Sequence, residues 1–388
     1  MPPAPLARSR PSSCLPAMAE AVDVPGAADR AGVAAFRELA DCWDRHGLGY
    51  AVANGLDGYP QRLGRDLDVV VEPLHLQAAS AAVRSTLERG GWRVVVRRRT
   101  ELVQHVAVSP DRRDCLIIDL FPGLRWGPVH LVQRPVPTFD VDGVRIDPWA
   151  SFVKRILLHV LVAPRRKFSG CPDRLRFSEA ERSAVLSRLP PLAGAALADR
   201  LLATAAAQDV PGLEALRGPL RRALIVSSAR RAPAATLRTA VRWARARLSL
   251  AASGSAMPTV SIIGPEGVDT GAIVSEVARQ AQARLRCPYV VVRQQESGIL
   301  AQFGRSLRDR RISADLGLVV YVRSRLHPGA TSSGVAGAST SMRFLERLLP
   351  KQDLVMVVSE HDAGAAAERI VSRLVDRFLE KNGEAPAE

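Results

Sequence analysis

The chain has 388 residues, a formal net charge of +15 and 47% hydrophobic residues, enough apolar material for two or three cored domains. It contains no run of about 18 consecutive apolar residues, and its five cysteines, Cys14, Cys42, Cys115, Cys171 and Cys287, are scattered without metal-ligand spacing. Membrane insertion, a disulfide framework and a cysteine-built metal centre are therefore not expected, and a reduced, cytoplasmic setting is.

Lys154, Lys167, Lys351 and Lys381 are the only lysines, so arginine supplies nearly all of the positive charge. The clusters at Arg97 to Arg99 and at Arg221 and Arg222 hold no stacking aromatics, and nucleic acid is not an expected partner.

Residues 1–28, rich in Pro, Ala and Ser, read as a disordered leader in which Met18 is a second candidate start. From Asp29 the apolar positions Val33, Phe36, Leu39, Ala40 and Trp43 recur at helical spacing, and Gly47 closes that helix. Tyr50 to Ala53 begins a strand, and a polar loop follows from Asn54 to Arg65. Asp66 to Glu72 reads as a strand, Pro73 opens a helix through Leu87, and Gly90-Gly91 precedes a strand over Trp92 to Arg97. Further strands are predicted over Leu102 to Val108 and Cys115 to Leu120. Asp142-Gly143 predicts a hairpin between Val136 to Val141 and Val144 to Ile146. Residues 29–147 thus read as an α/β domain built on a mixed sheet.

Residues 148–256 are patterned as helices, with Phe152, Ile156, His159 and Val160, then Leu213, Leu216, Leu220 and Leu224. Arg230 to Arg247 reads as a basic Ala-rich helix or linker, and Ala251 to Ala256 as a flexible connection. Residues 257–381 alternate strands and helices: Val260 to Ile263, a turn at Gly264-Pro265-Glu266-Gly267, and a helix from Gly271. Strands at Leu316 to Val322 and Asp353 to Ser359 follow, with helices at about Ser341 to Leu349 and Ala363 to Leu379. That alternation predicts a parallel sheet, with residues 382–388 as a tail.

The chemistry-bearing residues are acidic. Asp66 and Asp68, two apart on one strand, project from the same face, and Asp119 in Ile118-Asp119-Leu120 on a neighbouring strand can complete a set of hard oxygen ligands for Mg²⁺. An isolated Asp-x-Asp is most often a turn or a cap; the third acid shifts the balance towards phosphate chemistry. Asp119 sits among apolar neighbours, where desolvation raises a carboxyl pKa and suits it to take an acceptor's proton.

Asn54-Gly55, the loop, Asp66-Leu67-Asp68-Val69 and Ile118-Asp119-Leu120 together resemble the signature of the polymerase-beta-type nucleotidyltransferase fold over about Asp29 to Ile146. The resemblance implies two Mg²⁺ ions held by Asp66, Asp68 and Asp119, a nucleoside triphosphate substrate, and an acceptor that is a small molecule or a macromolecule. It also implies a triphosphate seat around Asn54, Gly55 and Arg65. Leu56 stands where that pattern has Gly or Ser, and Arg65 where it has a small polar residue. Lys154, with Arg155 and His159 on adjoining faces of one helix and Asp57 in the loop, adds candidate nucleotide contacts.

The third region resembles a thymidylate kinase-type P-loop domain over about Met257 to Lys381. Its turn runs Gly264 to Gly267, but Asp269, Thr270 and Gly271 occupy the three places where a working loop carries Gly-Lys-Ser/Thr. The phosphate-neutralising lysine and the Mg²⁺-binding hydroxyl are both missing, and Arg323 lies where the family has an Asp-Arg pair. The loop is read as degenerate. The leading expectation is a Mg²⁺-dependent nucleotidyltransferase, against a catalytically inactive nucleotide-binding or scaffold protein and, third, an active P-loop kinase.

Overall fold

In a computed structural model of the chain, residues 30–64, 66–98, 102–112, 114–249, 258, 260–263, 269–285, 290–294, 318–323, 354–357 and 362–383 are described. Arg65, Gly264, Gly267 and the helix expected near Ser341 to Leu349 lie outside the described residues, as do residues 1–29.

The first helix, α1 (Arg30–Arg45), is followed by β1 (Tyr50–Asn54) and β2 (Asp66–Val71). A single 3₁₀ turn at Pro73–His75 then leads into α2 (Leu76–Arg89). Pro73 fits that turn because its fixed φ and missing N–H are harmless at a helix start. Next come β3 (Arg93–Arg98), β4 (Val103–Val108) and β5 (Cys115–Phe121). A small hairpin of β6 (Leu124–Trp126) and β7 (Val129–Val132), not anticipated from the sequence, precedes β8 (Phe139–Val141) and β9 (Val144–Ile146). The expected hairpin at Asp142-Gly143 is present with a first strand shorter than predicted; both turn residues have positive φ, as a two-residue turn requires.

These strands make one mixed seven-stranded sheet in the order β3-β4-β5-β2-β1-β9-β8. Strand alternation assigns its two faces. Leu67, Val69, Val71, Leu116, Ile118 and Leu120 point to the face covered by α1 and α2, packing with Phe36, Leu39, Trp43 and Val83. The opposite face carries Asp66, Asp68, Val70, Ile117, Asp119 and Phe121, and two separate apolar clusters cover it.

The first cluster comes from the helical region. A helix begins as α3 (Pro148–Phe152), widens into a π turn over Val153–Leu157 and continues as α4 (Leu158–Val162). Asp147 caps it, accepting from the N–H groups of Trp149 at 2.9 Å and Ala150 at 3.2 Å. It is followed by α5 (Pro164–Phe168), α6 (Glu179–Arg188), α7 (Pro190–Ala193), α8 (Ala195–Ala206), α9 (Val210–Arg231) and α10 (Pro233–Ser249). Phe152, Val153, Ile156 and Leu157 of this region pack with Ala53, Val70 and Phe121 of the sheet.

The second cluster comes from the carboxyl-terminal region. There β10 (Val260–Ile263), α11 (Thr270–Leu285), β11 (Val290–Gln294), β12 (Leu318–Arg323), β13 (Leu354–Val357) and α12 (Ala363–Gly383) form a four-stranded parallel sheet in the order β11-β12-β10-β13 with two helices. Ile370, Leu374, Phe378 and Val277 share one core with Val95, Val106, Val108, Cys115 and Ile117 of the larger sheet. Polar contacts fasten this junction: Arg112 pairs with Asp376, and Arg284 donates to the Arg112 carbonyl at 3.2 Å.

A candidate metal centre on the larger sheet

The site is a row of side chains laid across adjacent strands. β2 and β5 run parallel with Asp68 directly opposite Asp119, and β4 sets Gln104 opposite Asp119 and Arg97 of β3 opposite Gln104. On the other side, β1 pairs antiparallel with β2, and its register shifts between Val52 and Asn54 so that Asn54 sits opposite Asp68. Without that bulge, alternation would send Asn54 to the same face as Val52, into the α1/α2 core. One extra residue re-aims it towards the acids.

Asp66, Asp68 and Asp119 each offer an oxygen within 4.8 Å of the other two. Asp68 is held from both sides: Asn54 Nδ2 donates to Oδ2 at 2.9 Å, and Lys154 Nζ lies 2.8 Å from Oδ1. Oδ1 is buried and has no aligned hydrogen-bond donor, so the ammonium serves it as a charge. Gln104 Nε2 donates to Asp119 Oδ1 at 2.8 Å, and Arg97 Nη1 donates to Gln104 Oε1 at 3.1 Å, which fixes the amide's orientation.

Lys154 reaches the acids from the π turn, its ammonium 4.1 Å from the centre of the Phe121 ring. Phe121 follows Asp119 by two residues and so points from the same face. A π turn displaces the side chains around it relative to an uninterrupted α-helix, a device frequent at functional sites.

Gly55 tightens the geometry from below. Its φ is +98°, and a Cβ there would lie 2.2 Å from the Asp66 carbonyl oxygen, so the loop after β1 can lie against β2 only if this residue is glycine. Gly64 N donates back to the Gly55 carbonyl at 2.8 Å, closing the loop onto itself.

The electrostatics favour a cation. Burial, and then the charge of Asp68, push the Asp119 carboxyl up to about 6, while Lys154 and Gln104 pull the other way. Burial likewise raises Asp68 despite Lys154 and Asn54. Burial would lower Lys154, but the carboxylates of Asp68 and Asp119 outweigh it and hold the ammonium charged. Asp66, Asp68 and Asp119 offer only hard oxygen donors, so the group could hold a metal ion of the Mg²⁺ type.

Other sequence-predicted residues go elsewhere. Arg155 turns away from the acids to Glu181, with Nη1 donating to Oε1 at 3.0 Å, and to the Arg176 carbonyl. Glu181 also closes the capping box of α6, so Arg155 ties two helices together. His159 packs edge-on against Phe168, and burial, followed by the charges of Lys167, Lys154 and Arg174, lowers its pKa to about 3. It is neutral at physiological pH. Asp57 is exposed in the loop.

In the carboxyl-terminal region Thr270 is the first residue of α11, and Asp269 accepts from Ala272 N at 3.0 Å. A protein carboxylate therefore occupies a helix start whose free N–H groups would otherwise be open to an anion. Gly271 lies beside the same carboxylate, 3.2 Å from where its Cβ would stand.

No protein-family model, curated protein or solved structure matches the chain. What the site can do therefore rests on its own geometry.

Gln104 and Arg97 are the participants that sequence reasoning missed. The signal for Gln104 is an amide on a strand whose neighbours are otherwise apolar or buried, on the face shared by Val106 and Val108. For Arg97 the sequence shows the end of a strand and the start of a basic run, neither of which points to the site.

Proposed function

We propose that the chain is a Mg²⁺-dependent nucleotidyltransferase that moves a nucleoside monophosphate from a nucleoside triphosphate to a hydroxyl or phosphate acceptor. The observation that carries this reading is the convergence of Asp66, Asp68 and Asp119 within 4.8 Å, from two parallel strands in direct register. Mg²⁺ bound there would activate the acceptor oxygen and neutralise the triphosphate.

The protein's own residues suit that task. Asp119, with its raised pKa, can accept the acceptor's proton near neutral pH. Gln104 fixes its orientation, and Asn54 does the same for Asp68. Lys154 brings the positive charge that a triphosphate placed beside three carboxylates needs. The mixed sheet fits the nucleotidyltransferase resemblance of its sequence motifs. The carboxyl-terminal parallel sheet fits a P-loop-type kinase domain whose phosphate site has degenerated, since Asp269 occupies the helix start and would repel a phosphate.

The ion pair between Lys154 and Asp68 favours a second reading, an inactive nucleotide-binding or scaffold protein in which the lysine fills the cage permanently. One experiment separates the two. The protein is incubated with Mg²⁺ and each labelled nucleoside triphosphate, with cell extract as the source of acceptor, beside Asp66→Ala and Asp119→Ala. Label transfer or pyrophosphate release that both substitutions abolish is expected; turnover indifferent to them, or none with any nucleotide, sinks the catalytic reading.

A further inference from the structure

The acidic site leaves unused the most one-sided stretch of charge in the chain. From Ala215 to Pro265 there are nine arginines and no Asp or Glu. Three of these arginines bond to backbone carbonyls of the helical region. Arg217 donates to the Val162 carbonyl at 3.4 Å, Arg221 donates to the Leu161 carbonyl at 2.7 Å and lies over the Trp126 ring, and Arg231 donates to the Pro191 carbonyl. They hold α9 to the helical core. Arg222, Arg230 and Arg238 are exposed.

On α10 the arginines adjoin an apolar stripe. Leu237 and Val241, four residues apart, share one helix face, and the exposed Arg238 adjoins Leu237; the sequence of the same helix adds Arg242, Arg245 and Arg247. An apolar stripe on a helix of a folded domain ordinarily turns into the core. Here Leu237 is 67% exposed and Val241 47%, and on the adjoining α9 Ile225 and Val226 are 41% and 46% exposed. The α9/α10 junction is itself well made, with Thr236 Oγ1 donating to the Ser228 carbonyl at 3.1 Å. The stripe is thus presented by a fixed helix.

Dense positive charge beside an outward apolar stripe complements a surface that is negative outside and apolar just beneath. A nucleic acid offers the first property without the second. We propose that α10, with the adjoining end of α9, is a peripheral docking surface for an anionic lipid bilayer, lying in the headgroup layer with Leu237 and Val241 towards the acyl chains and the arginines on lipid phosphates. Arginine suits this position because its long stem lies along apolar surface while its head stays with the phosphates. With 17 residues, α10 is about 25 Å long, and no described helix is long and apolar enough to cross a membrane. The helix lies on the bilayer and does not span it.

The test is flotation of the full-length protein with vesicles of phosphatidylcholine alone or with about one third phosphatidylglycerol, at low and high salt. Binding to the anionic vesicles only, weakened by salt, is expected. The charge variant Arg238→Gln/Arg242→Gln/Arg245→Gln lowers partitioning about a hundredfold, and Leu237→Gln/Val241→Gln about tenfold or more at unchanged charge. Circular dichroism melts report whether the variants fold, and the comparison of vesicles needs no variant at all. Three outcomes overturn the proposal: equal partitioning to neutral vesicles or none to either; vesicle binding untouched by the Leu237/Val241 variant and competed away by duplex DNA, which marks a nucleic-acid surface; or a dimer that the Leu237/Val241 variant dissociates, which marks an interface between copies of this chain.

Discussion

Replacing Lys154 by methionine tests how the acidic centre is balanced. Methionine keeps an unbranched apolar stem over Phe121 but removes the ammonium 2.8 Å from Asp68. Breaking a fully buried ion pair by deleting one partner typically destabilises by about 3–5 kcal/mol. The Asp68 side chain is 1% exposed, but that of Lys154 is 22% exposed, and an abandoned carboxylate can take up a proton, so about 2–3 kcal/mol is expected here. In a cooperative unit of about 150–250 residues that lowers the melting temperature by roughly 4–12 °C. The same substitution frees the three carboxylates for a divalent ion, so Mn²⁺ affinity rises at least about tenfold, and millimolar Mg²⁺ restores more of the melting temperature in the variant than in the parent. Differential scanning fluorimetry in EDTA and in Mg²⁺, with calorimetric titration of Mn²⁺, measures both. A variant that melts within about 1 °C of the parent in EDTA and binds Mn²⁺ with unchanged affinity refutes the counter-ion argument.

Three further substitutions probe the neighbours. Asp119 has a folded-state pKa of about 6, above the value of about 4 in an unfolded chain, so its contribution to stability is fully present below about pH 4 and falls by about 3 kcal/mol as the pH rises through 6. Asp119→Asn should therefore match the parent at pH 4 and exceed it at pH 8 in EDTA by urea denaturation, while losing transfer activity; a variant weaker than the parent at pH 8 contradicts the shift. Gln104→Leu removes the hydrogen bond to the buried Asp119 Oδ1 and the one accepted from Arg97 Nη1, and should cost about 1–3 kcal/mol. Its turnover should fall while the KM for the nucleotide stays, and unchanged turnover would remove Gln104 from any positioning role. Gly55→Ala must relieve a 2.2 Å approach to the Asp66 carbonyl at a positive φ, so a loss of at least about 2 kcal/mol is expected, with metal binding lost in parallel; a fully stable, metal-binding variant would show that the loop is free to move.

Much of the larger sheet was legible because its strands alternate cleanly. In β2 and β5 a buried apolar face and an acid-bearing face interleave at period two, which predicted both strands and a shared face for Asp66 and Asp68; that Asp119 meets them follows from the pairing of β2 with β5. What was not legible depends on register. Asn54 was expected at a triphosphate, but a bulge whose position no local pattern announces turns its amide to Asp68. Gln104 became a site residue only once β4 was known to lie against β5 with residue 104 opposite residue 119. Helical spacing placed Lys154, Arg155 and His159 on adjoining faces, yet only Lys154 reaches the acids, because Glu181 and Phe168 claim the other two. The hairpin β6–β7 was missed because its strands are three and four residues long, too short for alternation to register.

The position of the acids gives the two flanking regions a part in the site beyond the one side chain, Lys154, that reaches it from the middle helices. On the acid-bearing face, Ala53, Val70 and Phe121 are covered by the middle helices, while Val95, Val106, Cys115 and Ile117 are covered by α11 and α12. Asp119 stands between Ile117 and Phe121 on one strand, so it lies where the two covers meet, and the burial that raises its pKa depends on that covering. The carboxyl-terminal region, whatever chemistry it carries of its own, seals apolar strands beside the acids. The dielectric around Asp119, and with it the protonation of that carboxylate, is set jointly by the sheet and by helices from two later parts of the chain.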